Sequence, residues 1–160
     1  MITSFSQIDK SSRIWIYQSN RKLIDSEIVE IEVMLKDFLN SWTAHGNELQ
    51  TAFQIKYNRF IIIALNESNT AATGCSIDSC VHFMQQLELK YEINLLDKMN
   101  ISFKQGEFIS YKSINDFKKL VKNKSVSRKT IVFNNLVIDI SDFLENWELP
   151  AEKSWHARFF

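Results

Sequence analysis

The chain has 160 residues, 45% of them apolar and 24% charged, the composition of a globular protein. At that length a fold buries roughly 70% of its unfolded surface without disulfide or metal staples. Nineteen Lys and Arg balance nineteen Asp and Glu, which argues against a protein that coats nucleic acid and leaves room only for a local basic patch.

Cys75 and Cys80 give no disulfide framework, so a reducing cytoplasm is the expected compartment. Met1-Ile2-Thr3-Ser4-Phe5 lacks the charged region and apolar core of a signal peptide, and no apolar run approaches the ~18 residues of a membrane span. Gly46, Gly74 and Gly106 stand far apart, so neither GxGxxG nor GxxxxGK[ST] exists. The Cys and His positions show no CxxC or HxxxH spacing, so neither metal nor cofactor is expected.

Residues 1–12 are polar and Ser-rich, read as a flexible or arm-like start; residues 13–160 read as one globular domain. Arg13–Gln18 is β-branched and aromatic, a strand. Asp25 can cap a helix whose stripe is Ile24, Ile28, Ile31, Leu35, Phe38/Leu39 and Trp42. Gly46 reads as its left-handed stop, with His45 suited to the helix C-terminus or to the role of a base. Phe53–Tyr57 alternates, Asn58 allows a tight reversal, and Arg59–Leu65 is an apolar run, which together read as a hairpin. Arg59 is read as a rim ion pair or an anion clamp.

Thr73-Gly74-Cys75-Ser76-Ile77-Asp78-Ser79-Cys80 opens a second amphipathic helix that runs to Tyr91, with Ser76 as the expected N-cap. Ser76, Asp78 and Ser79 are candidate ligand contacts, because a helix N-terminus offers free N–H groups to anions. Cys75 is either a small buried hydrophobe or a nucleophile; Cys80 falls on the apolar face.

Ile101–Lys104 and Phe108–Tyr111 flank Gly106, a second hairpin. Ser113 caps a short helix carrying Ile114, Phe117 and Leu120/Val121. Lys118, Lys119, Lys122, Lys124, Arg128 and Lys129 form the one basic cluster. No aromatic residues interleave with it in sequence, so it reads as a solvated face rather than a nucleic-acid surface. Thr130–Val137 is a strand carrying Asn134 and Asn135, residues that suit a bulge, a specific hydrogen bond or a turn. Ser141–Trp147 reads as a short helix ended by Pro150. The tail Ser154-Trp155-His156-Ala157-Arg158-Phe159-Phe160 is too aromatic to float in water and should dock on the body or on another chain.

At Leu39-Asn40-Ser41-Trp42-Thr43-Ala44-His45-Gly46, Gly74-Cys75-Ser76-Ile77-Asp78-Ser79, Phe133-Asn134-Asn135-Leu136 and Ser154-Trp155-His156-Ala157-Arg158-Phe159 the chain resembles an uncharacterised bacterial family of similar length. Its members are often labelled ABC transporter ATPases. The present sequence has no Walker A motif and no LSGGQ-like signature, and the resemblance implies no catalytic residues.

The expected architecture is α+β: a mostly antiparallel sheet built from hairpins with about three helices packed on it, and room for one parallel pair in the first strand–helix–strand unit. The expected function is a non-catalytic binding or adaptor domain for a protein partner or small anionic ligand, with Arg59, Ser76, Asp78, Ser79, Asn134, Trp155 and Arg158 as ligand contacts. Self-association through the aromatic tail is a variant of this reading; nucleic acid ranks last among partners. The alternative is a small hydrolase or transferase with Cys75 as nucleophile, His45 or His156 as base, and the Ser76 and Ile77 N–H groups as an oxyanion hole.

Overall fold

A computed structural model describes all residues from Met1 to Phe160. The fold is α+β with four helices and antiparallel sheets. The chain forms two compact units, one of Met1–Leu96 with Ile138–Ile140, the other of Asp97–Val137 with Ser141–Phe160.

The first unit is built on a three-stranded sheet, ordered β1-β5-β4, from β1 (Arg13–Gln18), β4 (Gln50–Lys56) and β5 (Phe60–Asn66). Every pairing in it is antiparallel, so the first strand–helix–strand unit adds no parallel pair. The cause is the Tyr57-Asn58 reversal, which sends β5 back along β4. Both turn residues have positive φ (55° and 52°), and the Arg59 N–H closes the turn on the Lys56 carbonyl at 3.0 Å. Residues Phe60 to Leu65 are fully buried, so β5 is covered on both faces, as its unbroken apolar run requires.

Helix α1 (Asp25–Ser41) and helix α2 (Gly74–Tyr91) pack over Ile61, Ile63 and Leu65. Ile31, Leu35 and Leu39 carry the predicted stripe of α1; Ile24 lies outside it, exposed at the N-cap position. Asp25 is therefore a first-turn acid rather than the cap, and the Glu27 carboxylate takes the Ile24 N–H at 2.9 Å. Helix α1 stops before Gly46: Trp42 is its C-cap, and His45-Gly46 form the turn between β2 (Thr43–Ala44) and β3 (Asn47–Glu48). Both turn residues take the left-handed conformation that Gly46 suits (φ 52° and 76°).

The edges of this sheet are partly covered. Of residues 1–12, expected to be flexible or arm-like, Met1–Thr3 run beside β4: Ile2 bridges Thr51 in parallel, and the N-terminal amine donates to the Leu49 carbonyl at 2.8 Å. On the other edge the Ile14 N–H donates to Ile138, and Ile140 donates to Ser12. Each edge is thus occupied at one end, at Thr51 and at Ile14, which shortens the row of groups that could recruit another strand.

The second unit holds a four-stranded antiparallel sheet, ordered β7-β6-β8-β9: β6 (Asn100–Gln105), β7 (Phe108–Ser113), β8 (Ile131–Phe133) and β9 (Glu148–Pro150). Helix α3 (Ile114–Lys122) starts as predicted, with Ser113 Oγ accepting the Asp116 N–H at 3.1 Å. Phe117 is its single fully buried residue and packs on Ile101, Phe103, Val126, Val132 and Ala151. Helix α4 spans Ile140–Asn146, and Pro150 closes β9 at the sheet edge, where a missing N–H costs nothing. The aromatic tail lies against the α3 core: Trp155 and Phe159, in the 3-10 turn Trp155–Phe159, and Phe160 just after it are partly buried on it.

Candidate functional site

The start of α2 is occupied by its own side chains. Thr73, not Ser76, is the N-cap. Thr73 Oγ1 accepts the Ser76 N–H at 3.1 Å, and Ser76 Oγ in return accepts the Thr73 N–H at 2.7 Å. The Ile77 N–H donates to the Thr73 carbonyl at 2.9 Å. The two N–H groups expected to form an oxyanion hole are thus engaged, that of Ser76 in a reciprocal capping box and that of Ile77 in the first helical hydrogen bond. Ser76 is buried, whereas Asp78 and Ser79 are exposed; Ser79 Oγ donates back to the Cys75 carbonyl.

Cys75 is exposed in the first turn, so it is not the small buried hydrophobe that composition favours. Cys80 is that residue: buried, 3.5 Å from the Tyr17 hydroxyl, its thiol pushed up to about 11 by burial. His45 is exposed in the β2–β3 turn and makes no hydrogen bond with the Cys75 thiol, and His156 belongs to the other unit. Nucleophile and base are not brought together as a hydrogen-bonded pair. Arg59 is half-buried at the head of β5 and forms no ion pair; its Nη1 is buried without an acceptor, and desolvation lowers its pKa.

In the second unit the neutral chain shows a strong local imbalance. Eleven Lys and Arg meet seven Asp and Glu there, a net +4, and the first unit holds the opposite −4. The tail supplies the aromatic partners that the basic stretch lacks in sequence. The Lys118 ammonium lies over the Phe159 ring at 5.8 Å, Arg128 over Phe160 at 5.9 Å and Arg158 over Trp155 at 5.4 Å. None of these three cations has a carboxylate within ion-pair distance. Each is held by the negative face of a ring, which orders the charge without neutralising it.

Trp155 sharpens the arrangement. Its indole N–H is buried and has no acceptor. Its ring stacks on His156 at 3.9 Å, and Arg158 Nε donates to its carbonyl at 3.2 Å. His156 is buried at 1% exposure and shares a 2.7 Å hydrogen bond between its Nδ1 and Ser154 Oγ. Burial first, and the charge on Arg158 second, hold its pKa down at about 4, so the ring is neutral at pH 7. His156 is therefore part of the scaffold under Trp155.

Asn134 has a backbone role. Its N–H donates to the Trp147 carbonyl at 2.6 Å, and its Oδ1 accepts the Leu136 N–H. Asn135 Oδ1 accepts the Trp147 indole N–H at 2.9 Å. The expected long strand thus ends at Phe133, and the two Asn residues make the turn.

Of the residues singled out from sequence, Trp155 and Arg158 lie together, while Cys75, His45 and Arg59 lie in the other unit. Lys118 and Arg128 are exposed, as a solvated face requires, and each also lies over a ring of the tail. Six cations without a single acid fall between residues 118 and 129. No cluster of three His, Cys, Asp or Glu side chains is placed to hold a metal ion, and no helix is long and apolar enough to cross a membrane. No protein-family model, curated protein or solved structure matches this chain.

Proposed function

We propose that this chain is a non-catalytic binding protein whose second unit recognises an anionic ligand on its α3–tail face. The observation that carries the reading is the buried Trp155 N–H without an acceptor, set beside cations without counter-charges. A buried unpaired donor costs stability, and a ligand oxygen removes that cost. The neighbouring groups supply donors and positive charge, so the complementary group is an oxyanion such as phosphate or carboxylate. The two free thiols suit a reducing compartment, which agrees with a cytoplasmic protein.

Titration of the full chain with sodium tripolyphosphate, followed by tryptophan fluorescence and thermal melting, tests the reading. Binding that raises Tm and weakens at least tenfold in Arg158→Gln and severalfold in Trp155→Phe is expected. Trp155→Phe keeps an aromatic ring in place but removes the N–H and part of the indole. Equal affinity in the wild type and both variants, with intact melting curves, would place anion binding elsewhere and reject this site.

A further inference from the structure

The cations do not stop at the aromatic tail. Lys118 and Lys122 are exposed on α3, Lys124, Arg128 and Lys129 on the loop after it, and Arg158 on the tail. None of the six has an ion-pair partner. A single small anion needs two or three of them. A set this long, following one helix and the loop behind it, matches a ligand that carries many charges in a row.

Lys124 adds a separate observation. The C-terminus of α3 closes with the Ser125 N–H on the Leu120 carbonyl (2.9 Å) and the Lys124 N–H on the Val121 carbonyl (3.1 Å). That motif places Lys124 in the left-handed region, φ 63°, where glycine is preferred. A lysine there gives up stability while adding one more unpaired charge to the track, a local conflict of the kind that gathers at binding sites.

We propose that this face binds single-stranded nucleic acid, with the phosphates along the Lys118–Lys129 track and bases against the tail. The proposal rests on the anion-binding reading above. What favours a nucleic-acid strand over an acidic protein segment or an anionic lipid surface is the pair of arginines. The exposed Arg158 and Arg128 side chains lie over Trp155 and Phe160. Ring-backed guanidinium groups are platforms on which unpaired bases stack, and they hold no comparable advantage for an Asp or Glu side chain.

The test is fluorescence anisotropy of the full chain with a fluorescein-labelled 12-mer of oligouridylate. A hairpin duplex of equal charge, tripolyphosphate and phosphatidylserine vesicles are the comparisons. The strand should bind tighter than the duplex and vesicles, and log K should fall with log salt at about −0.7 per phosphate contacted, near −3 to −4 for five contacts. Arg128→Gln with Arg158→Gln should weaken the strand tenfold or more, and Lys122→Gln should flatten the slope by about 0.7. Lys36→Gln in α1 of the other unit should change nothing, and melting curves of all variants establish that they fold. Equal or tighter binding to duplex or vesicles, or a strand affinity untouched by the double Arg variant, would overturn the proposal. Tripolyphosphate binding that depends on Trp155, without tighter binding of the 12-mer, would overturn the strand and leave the anion site standing. Binding to neither would remove both.

Discussion

The Trp42 indole N–H donates a 2.7 Å hydrogen bond to the Ser76 carbonyl, joining the end of α1 to the first turn of α2. Both residues are buried, at 3% exposure each. The Trp42 ring also meets Trp15 edge-on at 6.1 Å and Phe38 at 5.7 Å. Trp42→Phe removes the donor and part of the ring and should cost about 2 kcal/mol; Trp42→Ala should cost about 3–5 kcal/mol. Urea unfolding should show the loss as a lower midpoint at unchanged slope. A midpoint that does not move would mean that the junction is not part of the cooperative core.

At the opposite ends of the same helices, Arg21 clamps Glu27 through two hydrogen bonds of 2.9 and 2.8 Å and donates to the Tyr91 carbonyl at 2.7 Å. The Arg21 hydrogen bonds hold the Glu27 carboxyl down at about 2. Its stabilisation is complete above the ordinary value of 4.5 and is lost as pH falls through 2. Arg21 is 39% exposed, so screening limits the effect to about 1 kcal/mol. Glu27→Gln should lose about that much at pH 7 and only a small part of it at pH 2, by denaturant titration at the two pH values. A constant difference would show that capping of Ile24, not charge, carries the effect.

His156 has the reverse sign. Its pKa falls from 6.5 unfolded to about 4 folded, so the unfolded chain binds the proton first as pH drops. Above pH 6.5 the residue makes stability insensitive to pH. Between 6.5 and 4 it destabilises the fold progressively, by about 3 kcal/mol in all. His156→Gln should lack this component, so the stability difference between variant and wild type should shrink or invert from pH 7 to pH 4.5. A pH-independent difference would mean that the ring is charged or solvated in the native state.

The two cysteines should differ sharply in access. In the native protein iodoacetamide should label Cys75 alone, with Cys80 labelled only after unfolding, by peptide mass mapping. Cys75→Ser should change stability by less than about 0.5 kcal/mol, as surface substitutions do. Native labelling of Cys80 at a comparable rate would show that its pocket opens readily.

Lys124→Gly relieves a left-handed lysine and should stabilise the protein by about 1 kcal/mol, seen as a higher Tm. The same substitution should weaken binding to the track. A Tm that falls instead would mean that the lysine makes contacts worth more than its backbone strain.

Much of the fold was legible because it is local. The apolar run Phe60–Leu65, the Asn58 reversal, the stripe Ile31–Leu35–Leu39 and the Ser113 cap each depend on a few neighbouring residues, and periodicity exposes such features. Helix ends were less legible. Thr73, Ser76 and Asp78 are all good capping types, and only the backbone geometry decides that Thr73 caps and Ser76 answers it. Gly46 signals a left-handed residue correctly, but a hairpin turn and a helix stop ask for the same conformation.

By itself the sequence determined that this protein is an α+β fold of hairpins and amphipathic helices without a phosphate loop, because those features rest on residue spacing. Only the tertiary structure decided what the charged and aromatic residues do together. Lys118 and Phe159 stand 41 positions apart, Arg128 and Phe160 stand 32 apart, and no periodicity links such distant residues. The tail folding onto α3 sets Lys118 and Arg128 against aromatic rings, and it buries the Trp155 N–H without an acceptor. Long-range packing chooses those neighbours, because each ring is placed by the core it helps to bury.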